Sequence, residues 1–212
     1  MNVKLKICGM KLPENIQAVS SLKPDYLGFI FYRDSKRFVE GLTPLFVKSL
    51  PAGIIKTGVF VNEELNRVAQ LAVLYGLNAV QLHGQEPVKY CIALKGLLAD
   101  AGIQLIKAFG VDENFDFNVV NAYANVVDYF LFDTQTSGHG GSGKTFNWAL
   151  LKNYTLNKPY FLSGGIALES VEQLKEINDP RLYSIDVNSM FELAPGLKDI
   201  DKLKDFKHKL AL

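Results

Sequence analysis

"YFLFDTQTSGHGGSGKTFNWALLKNY", residues 129–154, is the stretch on which the fold turns. Inside it, Gly138 to Thr145 spell G-x-x-x-x-G-K-T, the phosphate-binding pattern of nucleoside triphosphatases. That pattern works only with a strand before it and a helix after it, so that backbone N–H groups close on phosphate oxygens. A strand-like run, Tyr129 to Asp133, comes before, and a helix-like run, Phe146 to Tyr154, follows. The local context therefore admits a P-loop nucleotide triphosphatase. It equally admits a parallel βα repeat whose loop is rich in glycine. The flanking sequence chooses between them.

Working outward, apolar β-branched runs recur at even intervals, starting at Val3, Tyr26, Ile54, Ala79, Gln104, Tyr129, Pro159 and Leu182. Near-continuous apolar runs fit a parallel sheet covered on both faces. Helical patterns fill most of the gaps. One opens with Pro13 in a position suited to a first turn. Another starts at Asn62 as N-cap, has acids in its first turn and stops at Gly76. Others cover Glu86 to Gly102, Ser170 to Ile177 and Asp199 onward, while the second and fifth are short or weakly patterned. Eight strand–helix alternations without a linker predict a single (β/α)8 TIM barrel, an α/β fold occupying residues 1–212 as one domain. The alternative is an open doubly wound sheet.

Composition narrows the function. The chain is 48% hydrophobic and 21% charged, which is enough apolar material for a sizeable core. A net charge of +1 provides no field to recruit nucleic acid or an acidic membrane. The Lys-rich run at residues 202–210 reads as a solvated helix face. No apolar run is long enough to span a bilayer, and the first residues lack a signal-peptide layout. Cys8 and Cys91 are accordingly expected to be reduced, in a cytoplasmic protein. Two Cys and three His without ligand spacing predict no metal site.

In such barrels the chemistry lies at the C-terminal ends of the strands. The strand ends then name the candidates: Cys8, the loop holding Arg37, His83, Asp133, the Ser163–Gly165 turn and Asp186 to Ser189. Glycine-rich turns after strands six and seven let backbone N–H groups approach an anion; the alternative is that they only make tight turns. A thiol, ordinarily near pKa ~8.5, serves as a general base once its surroundings lower that value. Cys8 is either that base or a small buried residue. Asp133 is either a protonated acid or a structural cap. Arg37 suits a paired grip on a carboxylate, or solvent. His83 is a site residue or a structural imidazole.

The chain as a whole resembles the phosphoribosylanthranilate isomerase family of tryptophan biosynthesis. The resemblance rests on an ordered set: "KICGM" (Lys6 to Met10), "DYLGFIF", the Arg of "SKRFV", "GVFVN", "VQLHG", "LFDT", "GGSGKTFNW", "LSGGI", "IDVNS" and "PGLKD". It implies a (β/α)8 barrel that uses no metal and no cofactor. It implies an Amadori rearrangement of N-(5-phosphoribosyl)anthranilate to 1-(2-carboxyphenylamino)-1-deoxyribulose 5-phosphate. By position, Asp133 is the general acid and Cys8 the general base. Arg37 holds the anthranilate carboxylate and Asp186 lies beside the substrate. Gly141, Gly143, Gly164, Gly165, Asn188 and Ser189 hold the phosphate. It implies a small-molecule partner only, and a monomer in preference to a homodimer. The chain departs from the family pattern at Lys36 (usually Pro), Asn147 (usually Asp) and Met190 (usually Gly). Met190 predicts a locally different phosphate pocket. The alternatives to this reading are the P-loop triphosphatase and a related sugar-phosphate isomerase barrel of other specificity.

Overall fold

Each of the eight predicted runs is a strand in the structure, a computed structural model that describes residues 3–135 and 145–211. They are β1 (Lys4–Ile7), β2 (Tyr26–Ile30), β3 (Ile55–Phe60), β4 (Ala79–Leu82), β5 (Gln104–Val111), β6 (Tyr129–Thr134), β7 (Tyr160–Leu162) and β8 (Leu182–Val187). All neighbours pair in parallel and in chain order, and β8 closes on β1 with Lys6 opposite Asp186. The closed order removes the open doubly wound sheet.

The helices are α1 (Pro13–Ser20), α2 (Pro44–Lys48), α3 (Leu65–Tyr75), α4 (Val88–Leu98), α5 (Val171–Lys175) and α6 (Ile200–Leu210). Pro13 occupies the first turn of α1, where its missing N–H costs nothing. Gly76 ends α3 in the left-handed conformation at φ +61°. The predicted Asn62 cap of α3 is replaced. The Glu64 carboxylate accepts from the N–H groups of Asn66 and Arg67, while Asn62 Oδ1 is drawn to the Gln85 N–H of the loop after β4.

The run after β6 is not an α-helix. Thr145 to Asn147 are non-helical, and Trp148–Asn153 form a 3₁₀ turn. Asn147 caps that turn by accepting from the Ala149 N–H, as its side chain predicts. A P-loop needs an α-helix there to aim its N–H groups, so the match at Gly138 to Thr145 lacks its structural context. A hairpin follows β8, formed by β9 (Glu192–Ala194) and β10 (Leu197–Lys198). No periodicity announces it, because its strands are three and two residues long.

Alternation along the strands builds two cores. Outward residues such as Leu5, Ile7, Phe130 and Phe132 pack under the helices. Inward residues Tyr26, Ala79, Ile106, Ala108, Leu131 and Phe161 fill the barrel interior, with Tyr26 edge-on to Phe161 at 5.2 Å between ring centroids. Above that apolar layer the interior turns polar, with Lys6, Gln81 and Asp186 buried. That switch marks the mouth.

Candidate active site

Period two in β1 sends Leu5 and Ile7 outward and Lys6 and Cys8 inward. Cys8 therefore reaches the mouth, and the cavity there brings it together with His83, Asp133, Ser163, Gly164, Gly165, Asp186, Asn188, Ser189 and Met190. Cys8 and Asp133 thus face one space from β1 and β6, as their positions predict. Gly28 of β2 makes room for the thiol, since a Cβ at that position would stand 2.6 Å from Cys8 Sγ.

The thiol's surroundings differ from expectation. Burial pushes the Cys8 thiol up; the Lys6 ammonium pulls against it without reversing it. As a base Cys8 requires a lowered thiol, and position alone does not reveal how dry a strand end is. Below it, Lys6 Nζ donates to Asp186 Oδ2 at 2.7 Å, with both side chains buried. Asp186 is pushed up by burial, opposed by the Lys6 charge. Its second oxygen, Oδ1, is buried and has no partner among the described residues.

Asp133 is held from two sides. Oδ1 accepts from the Thr134 N–H, and Oδ2 lies 3.2 Å from His83 Nε2. The other ring nitrogen of His83 lies 2.8 Å from Gln81 Nε2. His83 therefore belongs to the site, bridging buried Gln81 to Asp133. Asn188 is partly committed: its Oδ1 accepts from Lys198 Nζ at 2.7 Å.

Arg37 sits beside the cavity, against Gly9, with its guanidinium engaged. Nε donates to both Glu192 oxygens at 2.9 and 3.0 Å, and Nη2 donates to Oε2 at 2.6 Å. Nη1 makes no hydrogen bond to a described residue. Glu192 also accepts from Lys198 Nζ at 2.7 Å. Burial pushes the Glu192 carboxyl up, but the Arg37 hydrogen bonds and the Lys198 charge outweigh it, and the net displacement is downward. Sequence reading missed Lys6, Lys198 and Glu192. Only Lys6 left a signal, a charge two residues from Cys8 on the same face of a strand.

Gly164 and Gly165 adopt φ of +92° and +64°. A Cβ on Gly164 would overlap Thr134 and lie 2.7 Å from Asp133 Oδ1, so only glycine fits. The two glycines turn the chain sharply after β7 and leave its backbone open to the cavity. Gly141 and Gly143 lie outside the described residues. Among the described residues no group of three His, Cys, Asp or Glu side chains is placed to hold a metal ion.

A closed parallel barrel with a thiol, a carboxyl and an open glycine turn around one mouth is the frame of an enzyme that acts on small molecules. A profile of the N-(5'-phosphoribosyl)anthranilate (PRA) isomerase family matches residues 5–209. The chain is 44% identical over 205 residues to N-(5'-phosphoribosyl)anthranilate isomerase of Parabacteroides distasonis, covering 95% of this chain and 90% of the relative. It is 41% identical to the enzyme of the same name from Phocaeicola vulgatus, covering 97% of each. Among solved structures, the phosphoribosyl anthranilate isomerase of Thermus thermophilus superposes with a TM-score of 0.82 at 27% identity, over 99% of this chain and 98% of that one. A phosphoribosyl anthranilate isomerase in complex with reduced 1-(o-carboxyphenylamino)-1-deoxyribulose 5-phosphate superposes at 0.77 with 32% identity, over the same shares. The chain belongs to the N-(5'-phosphoribosyl)anthranilate isomerase family.

Proposed function

We propose that the mouth of this barrel carries out the family's Amadori rearrangement with Asp133 as general acid and Cys8 as general base. The observation that carries the assignment is that one cavity is lined by both groups and by the Gly164–Gly165 turn. Asp133 gives its proton to the furanose ring oxygen. The ring C–O bond breaks, and the anilino nitrogen supplies the electron pair for a C1=N iminium. Cys8, as thiolate, then takes the proton from C2, and the C2–H electrons form the enolamine, which tautomerises to the ketone. The iminium charge acidifies C2–H and favours a nearby thiolate, which offsets the upward push of burial on Cys8.

Arg37 holds the anthranilate carboxylate through Nη1, with Glu192 fixing the plane of the guanidinium. Gly164, Gly165, Asn188 and Ser189 hold the phosphate together with Gly141 and Gly143. Asp186 Oδ1 accepts from a substrate hydroxyl or amine. Met190 lines the same cavity in place of a smaller residue. The barrel is one catalytic domain over residues 1–212, and we place it in the cytoplasm. No helix among the described residues is long and apolar enough to cross a membrane. We propose a monomer, although a Thermotoga maritima relative is described as dimeric; light scattering at micromolar concentration decides that point.

The function is tested by anthranilate fluorescence, with substrate formed in place from anthranilate and phosphoribosyl pyrophosphate. Wild-type protein is expected to consume the fluorescent substrate. Cys8→Ser and Asp133→Asn are each expected to slow turnover by about 10²-fold or more with the fold intact. Near-normal turnover in either variant would remove its assigned role.

A further inference from the structure

Three lysines are buried in the upper barrel and its rim: Lys6, Lys107 and Lys198. An ammonium has three N–H donors, and a buried structural lysine fills them. Lys107 meets Gly84 O, Ala108 O and Glu86 Oε2 at 2.8 to 3.1 Å. Lys198 meets Glu192 Oε1 and both Asn188 oxygens at 2.7 to 3.4 Å. Lys6 meets one oxygen only among the described residues, Asp186 Oδ2 at 2.7 Å. That Asp186 lines the same cavity as Cys8, which stands two residues on from Lys6 along β1. Both side chains project inward from β1, two residues apart, and Lys6 has no exposed surface. The charge on Lys6 therefore lies buried below Cys8 on one face of β1, where solvent screens it little.

We propose that Lys6 is a positioning residue for proton abstraction, its ammonium tethered by Asp186 so that it holds the negative charge of the Cys8 thiolate. This rests on the reading of Cys8 as the base. The Cys8 S–H bond breaks, its electron pair stays on sulfur and its proton passes to solvent at the mouth. The thiolate then takes the C2 proton and is a thiol again; Lys6 keeps all its protons throughout. Burial pulls the Lys6 ammonium down, but Asp186 and then Cys8 outweigh that pull, and it stays charged. Among the forces on the thiol, Lys6 is the largest that opposes burial, ahead of Lys198, while Asp186 acts in the other sense. Arg37 and Asn188 close the rim at Gly9, and His83 and Asp133 face the thiol across the cavity.

The test reads the thiol itself. In a Cys91→Ala background, so that one thiol remains, the rate of alkylation by iodoacetamide is followed from pH 6 to 10. Lys6→Met and Lys6→Gln remove the charge, and the second retains a donor for Asp186. Both are expected to slow alkylation at pH 7.5 at least tenfold and move the profile to higher pH. If Lys6 only supports the structure, turnover falls but the alkylation profile stays put, and the proposal is overturned. Should neither Lys6 variant fold with Asp186 left unpaired, the double variant Lys6→Met/Asp186→Leu, which replaces the whole pair by apolar groups, decides: an alkylation profile that stays at the native position overturns the proposal. Because alkylation does not depend on turnover, failure here is distinct from failure of the Cys8 assignment, which is scored by Cys8→Ser in the fluorescence assay.

Discussion

Replacing Glu192 by Gln removes one negative charge from a buried cluster and keeps its shape. In the native protein that carboxylate receives three hydrogen bonds from Arg37 and one from Lys198, and its side chain is 4% exposed. After the change, Arg37 and the fully buried Lys198 confront each other without an anion between them. Removing one partner of a buried pair costs about 3–5 kcal/mol. The lower figure applies here, for two reasons. Gln keeps an acceptor oxygen, and Lys198, already pulled down by burial, can shed its proton. A loss of about 3 kcal/mol lowers Tm by roughly 6–12 °C in a domain of this size. The pH dependence has a definite sign. The folded Glu192 carboxyl titrates below its unfolded value, so its contribution is full above the ordinary glutamate range and is lost as pH falls through the folded value. Urea unfolding of both proteins from pH 7 down to pH 3.5 is therefore expected to show a gap that closes with acid. A gap below about 1 kcal/mol at pH 7, the scale of an exposed ion pair, would refute the reasoning. So would a gap that widens as the pH falls.

Two further perturbations probe the site from its edges. Arg37→Ala is expected to raise KM at least tenfold with a smaller change in kcat, and an unchanged KM in the fluorescence assay counts against the carboxylate role. Gly28→Ala places a methyl 2.6 Å from Cys8 Sγ and 3.1 Å from Cys8 Cα, and a backbone atom cannot swing aside. It is expected to cost about 1–3 kcal/mol of stability and to lower turnover by displacing the thiol; a fully active, equally stable variant shows that the strand yields more than close packing allows.

The strands were legible because a parallel barrel imposes a near-continuous apolar requirement, met here mostly by Val, Ile, Leu, Phe, Tyr and Ala. All eight appear where the runs from Val3 to Leu182 predict. Elements held by local side-chain bonds were less so. The switch from Asn62 to Glu64 as cap depends on Gln85, 23 residues from Asn62, which draws Asn62 off. Trp148–Asn153 has helix-like spacing, yet six residues after an Asn cap settle as a 3₁₀ turn. In the site, Cys8 and Asp133 were legible because strand ends converge in any barrel. Glu192 was not. Its role depends on a hairpin turned at Gly196, whose N–H also donates to Glu192, and on Arg37, 155 residues distant in sequence.

The placement of the buried charges ties fold to function. Apolar packing of similar shape is often as stabilising as a buried ion pair, or more so. A barrel built only for stability would then continue the Tyr26–Phe161 layer to its rim. This one changes to Lys6–Asp186, Lys198–Glu192 and Lys107–Glu86 as it nears the mouth. Each pair supports a different group there. The first lies under Cys8. The second steadies Arg37 and Asn188. In the third, Glu86 also accepts from the Asn62 and Gly84 N–H groups, which fixes the turn directly after His83. The lower barrel supplies stability through rings and branched side chains, and the upper barrel uses part of that stability to hold oriented charge around the cavity.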